Sequence, residues 1–386
     1  MFLRPLRPFP SPMPNRRASQ RFLIIRRDNI GDMLATTPLI RGMRQRYPQA
    51  YIAVLASSYN VDAIRNNPDV DEIFIFLKRQ QKDTGYGILA TLWRRWQLLL
   101  TLRQIGFDTV VLANGGWRYA RQLGSRMVGF RERDNPDHRQ PQVIVPLADP
   151  RGTHEVRKMA ALGAALDVTD ALGPQVLVPD QELQERTRAA LSAGGWRADK
   201  PTLAVHISSR RPQQRWPEAQ FSAFLALLHA AEPEFQFLLL WSPGSANDPM
   251  HPGDDDKATA IQVNCRAQGI PLFPMPTRRV AELVAACSCA QRFIGSDGGA
   301  MHVAAALGLP MVCFFGDSSA AEWHPWGVPY VMLQPKSQRV DSLTVEEALS
   351  AWARLNTSLM QGTISQGKPP LRFQELPGQL PSNWPV

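Results

Sequence analysis

The sequence predicts an α/β protein built from two doubly wound halves that face a central cleft, with a C-terminal helix behind them. Three observations predict it. Short apolar runs alternate with helix-patterned segments from Arg21 onward, the pattern of βαβ units and a parallel sheet. The alternation pauses at LGPQVLVP (172–179) and then restarts. A chain of 386 residues is long enough for two separate cores.

Element by element, RFLII (21–25) is a strand, RRDNIGD (26–32) a turn, and MLATTPLIRGMRQRYP (33–48) a helix that Pro48 stops. AYIAVLAS (50–57), VDEIFIFL (70–77) and FDTVVLAN (107–114) read as further strands, with a long helix over about 87–104 before the last. Residues 131–152, rich in charge, Pro and Gly, read as a loop, and THEVRKMAALGAAL (153–166) as a helix. After the pause come a helix (180–195), a strand PTLAVHIS (201–208), a helix (216–231) and a strand FQFLLLWSP (235–243). A Gly- and Asp-rich loop to about 256 leads to a helix ending near 268, and RRVAELVAAC (278–287) is helical. FIGSDGGAMHVAAALGLPMVCFFG (293–316) is two apolar runs separated by a small-residue helix. Thr344 with Glu347 is a capping-box signature opening a helix to about Leu359. The expected boundaries are a basic tail over 1–20, an N-terminal half over 21–175, a C-terminal half over 176–345, and a helix with a Pro-rich surface tail over 346–386.

Charge bounds the partners. Lys and Arg total 43 against 34 Asp and Glu, a net charge of +9 that favours polyanions: nucleic acid, an anionic membrane face or phosphorylated substrates. The arginines are scattered and no nucleic-acid motif appears, so nucleic acid is set aside. The first 21 residues hold five prolines and lack a signal-peptide core, and no apolar run reaches membrane-spanning length. Cys265, Cys287, Cys289 and Cys313 form no CxxC pair, which points to buried, reduced thiols in a cytoplasmic protein and to no metal site.

Three segments can carry chemistry. Asp297, Gly298, Gly299 and His302 stand where a strand hands over to a helix, the place where open α/β sheets bind ligands. The helix N-terminus and the glycines suit phosphate, while Asp297 suits sugar hydroxyls. The plain alternative is that Asp297 caps the helix and His302 is a core residue. In RRDNIGDMLATTPL (26–39) the dinucleotide slot holds only Gly31, so a pyrophosphate loop of the NAD type is not expected; Asp32 in the first helical turn could instead take a proton from an attacking hydroxyl. In HISSRRPQQRWPE (206–218), Ser208 and Ser209 end a strand, and Arg210, Arg211 and Arg215 crowd the next loop, a combination suited to a diphosphate.

Together these segments resemble glycosyltransferase family 9, the ADP-heptose:lipopolysaccharide heptosyltransferase family. Gly31, Asp32, Thr36, Thr37 and Pro38 match its first motif; His206, Ser208, Ser209, Trp216 and Pro217 its middle one; Asp297, Gly299, His302 and Gly316 its late one, with Trp323 to Gly327 beyond. The resemblance implies a GT-B fold of two Rossmann-like domains and an inverting, metal-independent displacement without a cofactor. Asp32 is then the general base, with Gly31, Thr36 and Thr37 on the acceptor side. Ser208, Ser209, Arg215, Asp297, Gly298, Gly299 and His302 bind the nucleotide-sugar donor, ADP-heptose, and the acceptor is a lipid-linked lipopolysaccharide core. Two positions depart from the family pattern: Gln214 stands where Lys is usual, leaving charge neutralisation to Arg215, Arg210 or Arg211, and Gly298 stands where Thr is usual. Another nucleotide sugar for a different surface glycan is the near alternative, and an NAD-dependent oxidoreductase the alternative from another class. GILATLWRRWQLLLTLRQIGF (87–107) reads first as a packed helix of the N-terminal half and second as a peripheral contact with the anionic inner face of the cytoplasmic membrane.

Overall fold

The computed structural model describes residues 20–77, 88–114, 117–130, 142–147, 149, 151–248 and 252–361. It contains two six-stranded, wholly parallel sheets. The first is built from β1 (Arg21–Ile25), β2 (Tyr51–Ser57), β3 (Glu72–Phe76), β4 (Phe107–Leu112), β5 (Gly124–Phe130) and β6 (Val143–Val145), in the order β3-β2-β1-β4-β5-β6. The second holds β7 (Thr202–His206), β8 (Gln236–Trp241), β9 (Leu272–Pro276), β10 (Arg292–Ser296), β11 (Met311–Phe314) and β12 (Tyr330–Leu333), in the order β12-β11-β10-β7-β8-β9. Both sheets therefore have the same winding, and each reverses strand order at one central pair, β1/β4 and β7/β10. Ligands bind outside the carboxyl ends of strands at such reversals.

The strands form because they are buried on both faces. Along β1, Phe22 and Ile24 enter one apolar cluster while Leu23 and Ile25 enter another on the opposite face. The helices over the sheets are α1 (Ile30–Arg46), α2 (Ile88–Ile105), α3 (Trp117–Ala120) and α4 (Glu155–Ala164), then α5 (Gln181–Ala193), α6 (Glu218–Ala231), α7 (Asp255–Ala267) and α8 (Val280–Cys287), then α9 (Gly299–Ala306), α10 (Ala320–Trp323) and α11 (Val345–Met360). The capping box opening α11 forms as read: the Thr344 amide donates to Glu347 (2.8 Å) and the Glu347 amide to the Thr344 hydroxyl (3.2 Å). Trp352 of α11 seals the outer core of the second sheet, with its indole N–H on Glu232 (2.8 Å). All four cysteines are buried thiols.

Several elements differ from expectation. β5, β6, β9 and β12 were not read from the sequence; β6 lies within the stretch read as loop, whose residues 131–141 fall outside the described residues, as do the two tails at 1–19 and 362–386. β9 hid because LFPMP carries two prolines, tolerable only because it is an edge strand. The helix starting near Met33 begins earlier, at Ile30, and Pro38 stands inside it. Proline removes the amide that would serve the Leu34 carbonyl, and the Thr37 hydroxyl takes that role at 2.7 Å.

One apolar cluster runs through both halves. It joins Ile30, Met33 and Leu34 of α1 to Ala300, Met301 and Val303 of α9 and continues under both sheets.

Candidate functional site

The turns that follow β1 and β10 meet face to face. Gly31 is the first contact: a methyl group there would lie 2.5 Å from the His302 ring. Across the same seam, a methyl group on Gly299 would lie 3.1 Å from Ile30. Asp32, Asp297 and His302, read from different ends of the chain, thus come together at the reversal points of the two sheets.

Asp32 is buried and both its oxygens are held. Oδ1 accepts from Arg26 Nη2 (2.5 Å), and Oδ2 from Asn29 Nδ2 (2.9 Å) and the Asn29 amide (3.2 Å). Arg26, directly after β1, is itself buried and also reaches Glu155 (2.7 Å) and the Ala113 carbonyl (2.6 Å). Burial opposes its charge, but Asp32, Asp28 and Glu155 outweigh that and raise its pKa. Asp28 lies 3.0 Å from Arg26 and is pushed up to about 6, burial exceeding the help the guanidinium gives.

On the other side, Asp297 Oδ2 accepts from the Ser318 hydroxyl (2.6 Å), and Oδ1 lies 3.9 Å from His302 Nε2. Asp297 is not the helix cap; that place is taken by Gly298 at φ 155° and ψ −174°, a region only glycine enters readily. Glycine at 298 lets the backbone take this conformation. No heavy atom would lie within 4 Å of a Cβ at Gly298, so the open space is here, whereas the close approach at Gly299 is to Ile30. His302 is buried and its pKa is lowered, by burial first, against the pull of Asp297 and Asp32.

Gln214 is also buried, beneath this group. Its side chain accepts from the Gly316 amide (2.8 Å) and donates to the Ser318 hydroxyl that holds Asp297. Gly316 must be glycine, since a Cβ would meet the Gln213 carbonyl at 2.3 Å. The loop after β7 is tied at both ends by Lys257, whose ammonium donates to the carbonyls of Ile207 (2.9 Å) and Trp216 (2.7 Å) and is lowered to about 8, mainly by burial. Within it, the Ser208 hydroxyl accepts from the Ser242 amide (2.9 Å), and Arg215 donates to the Ser209 carbonyl (2.8 Å) and lies 3.9 Å from Asp254. Arg211 is paired with Asp317. Arg210 is exposed; burial raises the pKa of Tyr59, and the charge of Arg210 partly offsets this.

Thr36 and Thr37 are fully buried; Thr36 donates to the Asp32 carbonyl (2.8 Å), and Thr37 also accepts from the Val176 amide (2.8 Å). These bonds secure α1 and the connection between the halves. Arg26, Glu155, Ser318 and the scaffold role of Gln214 were missed. Arg26 had a sequence signal: a charged residue directly after the apolar run FLII.

Residues 95–352 match the family model described as Glycosyltransferase family 9 (heptosyltransferase). The chain is 24% identical over 301 residues to lipopolysaccharide heptosyltransferase 3 of Escherichia coli K12, covering 77% of this chain and 82% of that protein. It is 25% identical over 315 residues to lipopolysaccharide heptosyltransferase 2 of Salmonella typhimurium, covering 78% and 83%. Among solved structures, a glycosyltransferase family 9 protein from Veillonella parvula superposes with a TM-score of 0.71 at 17% identity, covering 88% of this chain and 97% of that one. The E. coli ADP-heptose lipopolysaccharide heptosyltransferase II superposes at 0.66 and 20% identity, covering 89% and 100%. The fold is thus GT-B, and the chain belongs to glycosyltransferase family 9, the heptosyltransferases, and is a glycosyltransferase.

Proposed function

We propose that the protein moves heptose from ADP-heptose to a lipopolysaccharide core acceptor with inversion at the anomeric carbon, Asp32 serving as general base. The acceptor oxygen attacks the anomeric carbon, its proton passes to Asp32, and the bond to the diphosphate breaks, releasing ADP. The observation that carries this reading is the meeting of a fixed carboxylate from the first half, Asp32, with Asp297 and His302 from the second. Asp297, held by the Ser318 hydroxyl, accepts hydrogen bonds from hydroxyls of the sugar. Open space beside the Gly298 backbone gives the diphosphate an approach, and Ser208 and Ser209 follow β7, the strand paired with the β10 strand that leads to Gly298. The reading uses no metal and no cofactor; Arg210, exposed in the loop after β7, supplies the cation that Gln214 does not.

A lipid-linked acceptor brings the enzyme to the inner face of the cytoplasmic membrane. Leu92, Trp93 and Trp96 of α2 are about half exposed and the two indoles stack at 5.0 Å, which suits contact with an anionic surface. Among the described residues no helix is long and apolar enough to cross a membrane. Sedimentation with phosphatidylglycerol vesicles tests this, and Trp93→Ser/Trp96→Ser binding as well as the parent would remove α2 from the contact.

The test of the main reading is calorimetry against ADP, UDP and GDP, followed by transfer from ADP-heptose. ADP preference with heptose transfer is expected. Preference for UDP or GDP would keep the family and discard the donor.

A further inference from the structure

A chain of charges, buried at Arg26, Asp32 and Glu155 and partly buried at Lys158 and Glu322, leads from Asp32 out of the first half and into the second. Arg26 joins Asp32 (2.5 Å) to Glu155 Oε1 (2.7 Å); Glu155 Oε2 meets Lys158 (3.1 Å); and Lys158 meets Glu322 (2.9 Å). Glu155 and Lys158 sit one turn apart on α4 in the first half, whereas Glu322 belongs to α10 in the second. Exposures of these side chains rise only from 2% at Arg26 to 19% at Glu322, so solvent screens the chain weakly along its whole length.

The segment bearing Glu322 is pinned to the first half beside it. His154 Nδ1 accepts from the Val156 amide, which leaves Nε2 to carry the hydrogen it donates to the His324 carbonyl at 2.9 Å. The His154 ring lies 4.3 Å from that of His324 and stacks on Trp326 at 4.6 Å. A few residues earlier, the same segment supplies Ser318 to Asp297. It therefore touches the carboxylate on the donor side and, through Lys158, the cluster around the carboxylate on the acceptor side.

We propose that Glu322 and Lys158 are positioning residues that orient Asp32 only while the two halves are together. Glu155 is the joint. Each of its oxygens serves a different cation, so when Glu322 leaves Lys158, the ammonium draws on Glu155 alone and the carboxylate turns away from Arg26. Arg26 then re-divides its donors between Asp28 and Asp32, and the carboxylate that receives the proton loses its fixed direction. The inference rests on the reading of Asp32 as the general base.

The experiment is amide hydrogen exchange of the whole protein together with transfer kinetics, using ADP-heptose and inner-core-truncated lipopolysaccharide as probes. In Glu322→Gln, exchange at Asn29 to Met33 is expected to rise about fivefold while the β7 amides and Tm stay as in the parent. kcat should fall about tenfold with KM for ADP-heptose unchanged. Lys158→Met should reproduce both effects, the double variant should add nothing further, and Lys158→Arg should restore exchange and kcat. Parent-like exchange and kcat in Glu322→Gln, additive losses in the double variant, or faster exchange throughout the second half would each overturn the proposal, the last by showing a mere staple between the halves. Asp32→Asn separates the two readings. If it stays active, the base assignment fails; if it is dead while Glu322→Gln behaves as the parent, only the relay fails.

Discussion

Asp32 has no freedom to wander, because three hydrogen bonds fix its two oxygens within a buried turn. Asp32→Asn keeps the shape but cannot take a proton, so transfer should fall by ~10²-fold or more with ADP affinity preserved. A loss under about tenfold would leave the carboxylate an orienting role only. Gln214 is an amide that both accepts and donates, serving Gly316 and Ser318 at once. Gln214→Leu strands these buried polar groups at about 1–3 kcal/mol and should weaken ADP-heptose binding by about tenfold through a loosened Asp297. Undiminished affinity in calorimetry would detach Gln214 from the donor site. At this scale the sequence disclosed the residues at strand-to-helix turns, since glycines mark the turns and a lone carboxylate there stands out. It hid Glu155, Lys158 and Ser318: the i,i+3 pairing of the first two is a helical spacing, but their contacts with Arg26 and Glu322, and that of Ser318 with Asp297, span 129, 164 and 21 positions and follow no spacing rule.

The helices α1 and α9 are the elements on which the site depends, because they carry both carboxylate turns and touch each other. Their closeness requires Gly31: an added methyl would press on the buried His302 ring at 2.5 Å. Overpacking of this kind typically costs about 1–3 kcal/mol. Gly31→Ala should therefore lower transfer by about tenfold or more while leaving far-ultraviolet circular dichroism unchanged. An active variant would mean that the two turns separate during turnover. Most elements were legible because parallel strands buried on both faces read as unbroken apolar runs. The four missed strands were short, polar or proline-bearing and sat toward sheet edges, where β9 and β12 need only one neighbour. β5, GSRMVGF, opens on polar residues that face solvent, so its period was broken from the start.

For the whole molecule, acidity is the predicted weak point. Burial lowers His154 to about 3 and His206 to about 4, from an ordinary value of about 6.5. The unfolded chain therefore binds more protons below that value, and the stability these neutral rings support is complete above about 6.5 and lost as pH falls toward 4, at up to about 1.4 kcal/mol per pH unit for each ring. Asp28, raised to about 6, works the other way below that pH, holding a proton the unfolded chain gives up. Urea unfolding at pH 7, 6 and 5 should give a falling midpoint, and a flat series would show that the rings are charged in the folded protein. The pairing of two identically wound sheets was readable in the restart of the pattern after 172–179; the seam between them was not, since neither Gly31 nor Gly299 announces what it leans on. That seam has a thermodynamic consequence. Because one apolar cluster passes from α1 into α9, pulling the halves apart wets the apolar side chains they share, although each keeps an outer core of its own. A chain that looks like two copies of one plan should consequently melt as one object: a single calorimetric peak whose enthalpy equals its van't Hoff value, with two peaks expected only if that cluster is first cut by a charge at Met301.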